Sequence, residues 1–131
     1  MNPEEALELV EGFQKCTLPK ARWTHTAHIV VGLYHICAYD DVHKATRLFK
    51  ERLIKYNLSI GVLNGYHETL TIWWMAQLQK FWDEHHGNFG QLADLLLEDP
   101  DLTRSSYPKD FYETDVLNSE EARRTYIPPR D

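Results

Sequence analysis

The chain has 131 residues, a length that fits one domain built around a single hydrophobic core. Hydrophobic residues make up 43% of it and aromatic residues 12%, which is ample material for that core. The net charge of −6 argues against nucleic-acid binding, because phosphate contacts need clustered lysines and arginines. No segment reads as a transmembrane helix or a signal peptide, so we expect a soluble cytoplasmic protein with no membrane partner. Cys16 and Cys37 are accordingly expected to be reduced thiols.

The first predicted helix runs from Pro3 to about Gln14. Asn2 is a favourable N-cap, Pro3 suits the first helical position, and Glu5 lies where a capping box places its acid. Pro19 disfavours helical backbone at the residue before it, so a break is expected before the next element. The predicted apolar face consists of Ala6, Leu7, Leu9, Val10 and Phe13.

Two longer helices are predicted next. Thr24 is a suitable N-cap for the second helix, roughly 24–39, which is apolar almost all round and is therefore expected at the centre of the fold. Asp40 can cap a third helix that ends near Tyr56. The inward face of this third helix is predicted to carry Val42, Ala45, Leu48 or Phe49, and Leu53.

The remaining segments complete a helical bundle. In chain order they are a connection over 57–65, helices over about 66–84 and 89–98, and a short helix over 119–125. The chain is expected to be irregular beyond Pro100, and Asn118 is expected to cap the last helix. We therefore predict one all-α domain over 1–131, a compact bundle of four to five helices with a short terminal helix and a proline-containing tail over 118–131.

Three histidines occupy positions where the helical pattern calls for apolar residues. His25 and His28 fall in the first turn of the second helix, and His67 falls in the first turn of the fourth. Because burying an imidazole costs about 1–3 kcal/mol unless it is bonded or ligated, we expect the two helix ends to meet at one polar site. Gly32 lies on the same helical face as His25 and His28, where it would leave room for a ligand or a closely approaching helix. His35 is interpreted as a packing residue.

The leading hypothesis is that this protein binds a metal ion. A more specific version of this hypothesis is that it is a metalloenzyme acting on a small molecule. Three imidazoles with an open coordination position are typical of Zn²⁺, and Fe, Mn, Ni or Cu would fit if a carboxylate joined them. His25, His28 and His67 are the predicted ligands. Glu68 lies about 100° around the helix from His67, so we assign it an orienting or general-base role, with Tyr66 as a phenolic donor.

Two alternatives use the same residues without a metal. Helix N-termini carry partial positive charge and free N–H groups, so the site could instead bind a small organic anion, with Arg22 just upstream. In the other alternative the domain is structural and the histidines form a polar network among themselves. The sequence carries no signal that sets the oligomeric state.

Several segments resemble those of a family of small uncharacterised bacterial helical proteins. They are Cys16-Thr17-Leu18-Pro19, WTHTAH at 23–28, GYHETLT at 65–71 and SEEAR at 119–123. The resemblance spans most of the chain and implies a shared compact fold. It supports treating His25, His28, His67 and Glu68 as one site, and it implies no particular activity or substrate.

Overall fold

The computed structural model describes residues 1–39 and 41–130, and the regular secondary structure within them consists of helices, with no strand. The α-helices are α1 (Pro3–Gln14), α2 (His25–Ala38), α3 (Val42–Ser59), α4 (Glu68–Glu84), α5 (Phe89–Leu96), α6 (Thr114–Leu117) and α7 (Glu120–Arg124). Single turns of 3₁₀ helix lie at Lys20–Arg22 and Tyr107–Asp110. The predicted all-α class is confirmed, and none of the described helices has the length and apolar character needed to cross a membrane.

Side-chain caps fix where the first two helices begin. The Asn2 side chain accepts a hydrogen bond from the backbone N–H of Glu5 at 2.8 Å, and Pro3 takes the first helical position. The Thr24 hydroxyl accepts from the backbone N–H of Ala27 at 3.2 Å. Each such cap satisfies a backbone donor that the helix itself leaves free and is worth about 1 kcal/mol. Both caps are those that the sequence predicts.

The third helix differs from its prediction at both ends. The predicted cap, Asp40, lies outside the described residues, and Asp41 is the N-cap of α3. The helix continues to Ser59 rather than ending near Tyr56. Tyr56 is fully buried and its hydroxyl donates to the carbonyl of Leu18 at 2.7 Å, so tertiary packing holds the extra turn in place.

Two smaller predictions are also wrong. Leu7 was predicted on the apolar face of α1 but is 51% exposed, because the buried residues follow an i, i+3, i+4, i+7 spacing from Ala6 and Leu7 lies about 100° to one side of Ala6. Ser119, not Asn118, caps α7, its hydroxyl accepting from the N–H of Ala122 at 3.1 Å. Asn118 instead ends α6, a short helix that the sequence analysis did not predict.

The second helix is the centre of the fold and packs against α1, α3, α4 and α5. A Cβ atom added at Gly32 would lie 2.7 Å from Leu78 Cδ1 and 3.3 Å from Met75 Sδ, so this glycine permits the close approach of α4. His35 is fully buried, as predicted for a packing residue. Its Nδ1–H donates to the carbonyl of Val31 at 2.8 Å, and Nε2 accepts from Arg52 at 2.9 Å.

The chain after α5 folds back across α4 and forms a second, smaller core. Trp73 of α4 is buried there with Tyr112 and Leu117. Side chains of α4 also hold the segment through its backbone, since the Thr69 hydroxyl donates to the carbonyl of Thr125 at 2.9 Å. The irregular segment is therefore an integral part of the fold and brings its backbone carbonyls to the histidines described next.

Candidate functional site

The three histidines singled out from the sequence line one cavity of about 310 Å³ between α2, α3 and α4. We call it the histidine cavity. His25 and His28 enter it from the first turn of α2, and His67 enters it from the residue before α4. Its other walls are mainly apolar and include Ile29, Phe49, Leu53, Leu70, Trp74 and Leu78. The arrangement is a small apolar chamber with a few polar groups, the usual character of a small-molecule site.

His28 presents a neutral imidazole with one free nitrogen. Its Nδ1–H donates to the carbonyl of Thr24 at 2.7 Å, so Nε2 carries a lone pair. Within the part of the chain that the structure describes, the bond from Nδ1 is the one hydrogen bond of the ring, and Nε2 makes none. Burial lowers the pKa of His28 to about 4, against the opposing effect of the Thr24 bond, and neighbouring His25 lowers it further. The ring packs on Trp23, with centroids 4.0 Å apart.

His25 is oriented in a similar way by a distant carbonyl. Its Nε2–H donates to the backbone oxygen of Leu102 at 2.9 Å, so in the neutral tautomer the lone pair lies on Nδ1. The imidazole lies beside Trp74, with ring centroids 4.8 Å apart. Both histidines of α2 thus use their N–H groups on backbone carbonyls.

His67 has no free ring nitrogen. It is the N-cap of α4, and its Nδ1 accepts from the backbone N–H of Leu70 at 3.1 Å. Its Nε2–H donates to the carbonyl of Leu117 at 2.8 Å. The sequence pattern predicts this residue in the first turn of the helix, but the helix begins one residue later, at Glu68. His67 therefore forms a wall of the cavity while joining α4 to the C-terminal segment.

Tyr66 and Glu68, the residues on either side of His67, do not line the histidine cavity; they line two neighbouring cavities. The Tyr66 hydroxyl donates to Glu68 Oε1 at 2.6 Å, and Lys50 Nζ lies 3.0 Å from the same oxygen. Burial would raise the pKa of Glu68, but its bonds to Tyr66 and Lys50 hold that pKa below its usual value. Burial and the bond to Glu68 raise the pKa of Tyr66.

Arg22, the predicted anion partner, also lies apart from the histidines. It is exposed, belongs to the 3₁₀ turn at Lys20–Arg22, and is not among the residues that line the histidine cavity. The structure therefore brings together His25, His28 and His67, and it separates them from the charged groups that the sequence analysis grouped with them.

The donor set can be compared with what a metal requires. Ligation by three imidazoles needs a lone pair from each ring, and both nitrogens of His67 are engaged within the protein. Among residues 1–39 and 41–130, no group of three or more His, Cys, Asp or Glu side chains is placed to hold an ion. Cys16 and Cys37 are both free thiols. The metal site stays a prediction.

The partners that orient the rings were not found from the sequence. Leu102 and Leu117 contribute backbone oxygens, which leave no trace in side-chain patterns. Phe49 and Leu53 line the cavity from α3, and their periodicity shows only that they face the core. Trp74 could be expected, because it shares a helical face with His67.

Comparison with known proteins gave no assignment. No protein-family model matches the chain, and neither a curated protein nor a solved structure matches it significantly. The resemblance to a bacterial family therefore stays a prediction.

Proposed function

We propose that this protein binds a small, neutral, mainly apolar molecule in the histidine cavity, and that the molecule donates a hydrogen bond to His28. The observation that carries the proposal is the neutral His28 imidazole, with its free Nε2, in a mainly apolar cavity of about 310 Å³. Binding needs no metal. The two free thiols are in keeping with a reducing compartment such as the cytoplasm.

The hydrogen-bonding pattern favours a donor over an anion. The N–H groups of His25 and His28 are both directed to backbone carbonyls, so His28 offers the cavity a lone pair, as does the neutral tautomer of His25. A carboxylate would face these lone pairs without a matching donor. Protonating His28 would supply one, but its pKa of about 4 keeps the ring neutral at physiological pH. A hydroxyl or N–H group on the ligand is the complementary partner.

The volume and walls favour a flat ring compound. An apolar cavity of roughly 150 Å³ already accommodates benzene, so 310 Å³ suits one or two rings with a small substituent. Trp74 and Phe49 provide aromatic surface against which such a ring can pack. We therefore assign the ligand to the class of aromatic alcohols, phenols and indole-like N–H compounds.

Benzyl alcohol, toluene and benzoate form a matched set of probes for this site. We expect benzyl alcohol to bind most tightly, because toluene lacks the donor and benzoate carries a charge. The His28→Leu variant keeps an apolar side chain but removes the hydrogen-bond acceptor. We expect it to weaken benzyl alcohol binding about 10-fold or more, because leaving the ligand hydroxyl unpaired costs about 1–3 kcal/mol. Isothermal titration calorimetry of both proteins measures the effect.

The matched control is His86→Leu, since His86 is exposed and lies outside the cavity. This variant should bind benzyl alcohol as the parent protein does. Equal binding of benzoate, or unchanged affinity in His28→Leu, would contradict the proposal. The Tm of the same proteins is also measured with and without Zn²⁺. If Zn²⁺ raises the Tm of the parent protein but not that of His28→Leu, the result would support the predicted metal centre instead.

A further inference from the structure

A second cavity, of about 630 Å³, is lined by Tyr66 and Glu68 and by none of the three histidines. Its charged lining consists of Lys50, Glu68, Glu120, Arg123 and Arg124. Three cations and two carboxylates thus meet in one place, although the whole chain carries a net charge of −6. We call this space the Arg123 cavity.

Both carboxylates of the Arg123 cavity already have cationic partners. Glu68 accepts from the Tyr66 hydroxyl and lies 3.0 Å from Lys50 Nζ. Glu120 pairs with Arg124 at 3.2 Å, one helical turn apart on α7. These pairs account for two of the three cations and leave the charge of Arg123 uncompensated.

Arg123 is held in position by backbone oxygens rather than by an acid. Its Nη1 donates to the carbonyl of Asn64 at 2.9 Å and to that of Tyr66 at 3.4 Å. In the described part of the chain no carboxylate lies within 4.0 Å of this guanidinium, and its Nη2 and Nε have no protein partner. A fixed guanidinium with two adjacent donors free matches the geometry of an oxyanion.

We infer that the Arg123 cavity is a binding site for a small oxyanion, a carboxylate or a phosphate group. The two free donors of Arg123 bind it, because the charges of Lys50 and Arg124 are already balanced by Glu68 and Glu120. The site is separate from the histidine cavity, and its occupancy does not depend on the ligand proposed there. Its chemistry also differs, because the histidine cavity offers acceptors and this one offers donors.

Titration with inorganic phosphate and, separately, acetate at low ionic strength tests the site. The readout is the Nε–Hε resonance of the Arg123 side chain, which should shift saturably with at least one of the two anions. Saturation by phosphate alone assigns a phosphate group, and saturation by acetate alone assigns a carboxylate. No saturable shift with either anion would overturn the inference.

Two variants separate a binding role from a structural one. Glu120→Gln removes an exposed carboxylate and frees Arg124, so we expect it to tighten anion binding roughly 2- to 5-fold without disturbing the fold. Arg123→Lys keeps the charge but loses the paired donors, and we expect it to weaken binding roughly 5-fold or more. Arg22→Lys, at an exposed arginine outside this cavity, is the control and should change nothing. Unchanged affinity in both Glu120→Gln and Arg123→Lys would also overturn the inference.

Discussion

Lowering the pH from 7 to 4 is expected to destabilise this protein by several kcal/mol, because two imidazoles that are neutral in the folded state gain protons on unfolding. Burial lowers the pKa of both His28 and His35 to about 4, and the charge of Arg52 contributes at His35. In the unfolded chain each ring titrates near 6.5. Between these values the unfolded state binds more protons, so stability rises with pH and falls on acidification. The loss is on the order of 3 kcal/mol for each fully shifted ring.

Urea unfolding at pH 7, 6, 5 and 4 measures this effect. We expect His28→Leu to lose stability less steeply than the parent protein over this range, because one of the two rings no longer titrates. Carboxylates contribute equally to both proteins, so the difference between the curves isolates His28. His86→Leu, at an exposed ring, should leave the slope unchanged. Identical pH profiles for His28→Leu and the parent would contradict the assignment of a neutral buried ring.

Replacing His67 with alanine is expected to cost about 2–4 kcal/mol of unfolding free energy. One part is the lost N-cap of α4, because Nδ1 no longer accepts from Leu70, and such losses amount to about 0.5–2 kcal/mol. The other part is the carbonyl of Leu117, which is left without its donor in a nearly buried position, at about 1–3 kcal/mol. Chemical denaturation at pH 7 gives the total.

His67→Asn separates these two contributions. Asparagine is a strong N-cap, so this variant should recover roughly 1 kcal/mol relative to alanine while leaving the carbonyl of Leu117 unpaired. The C-terminal segment should also become more sensitive to limited proteolysis in both variants, because His67 anchors it to α4. If His67→Ala were as stable as the parent protein, His67 would not stabilise the contact between α4 and the C-terminal segment.

Local rules were enough to predict much of the bundle. Asn2 and Thr24 are caps because their side chains reach backbone donors only three residues away, and sequence spacing alone specifies such contacts. Helical periodicity likewise placed His25, His28 and His67 on inward faces. Where packing between distant elements decided the outcome, as at the end of α3, the prediction was wrong.

The bonds of the site could not be predicted because they span the chain. His25 reaches a carbonyl 77 residues away and His67 one 50 residues away, both in irregular segments without periodic signals. Glu68 was grouped with the histidines because it follows His67, yet its partners are Tyr66 and Lys50, which do not line the histidine cavity. His67 has an extended backbone, in which successive side chains point to opposite sides, so adjacency in sequence did not give adjacency in space.

Side-chain ¹⁵N NMR of His28 tests the central claim most directly. At pH 6 we predict a neutral ring with its proton on Nδ1, and we predict that the Nε2 resonance moves when benzyl alcohol is added, because the hydroxyl donates to it. A protonated ring at pH 6, or an Nε2 resonance whose chemical shift is unchanged at saturating benzyl alcohol, would contradict this proposal.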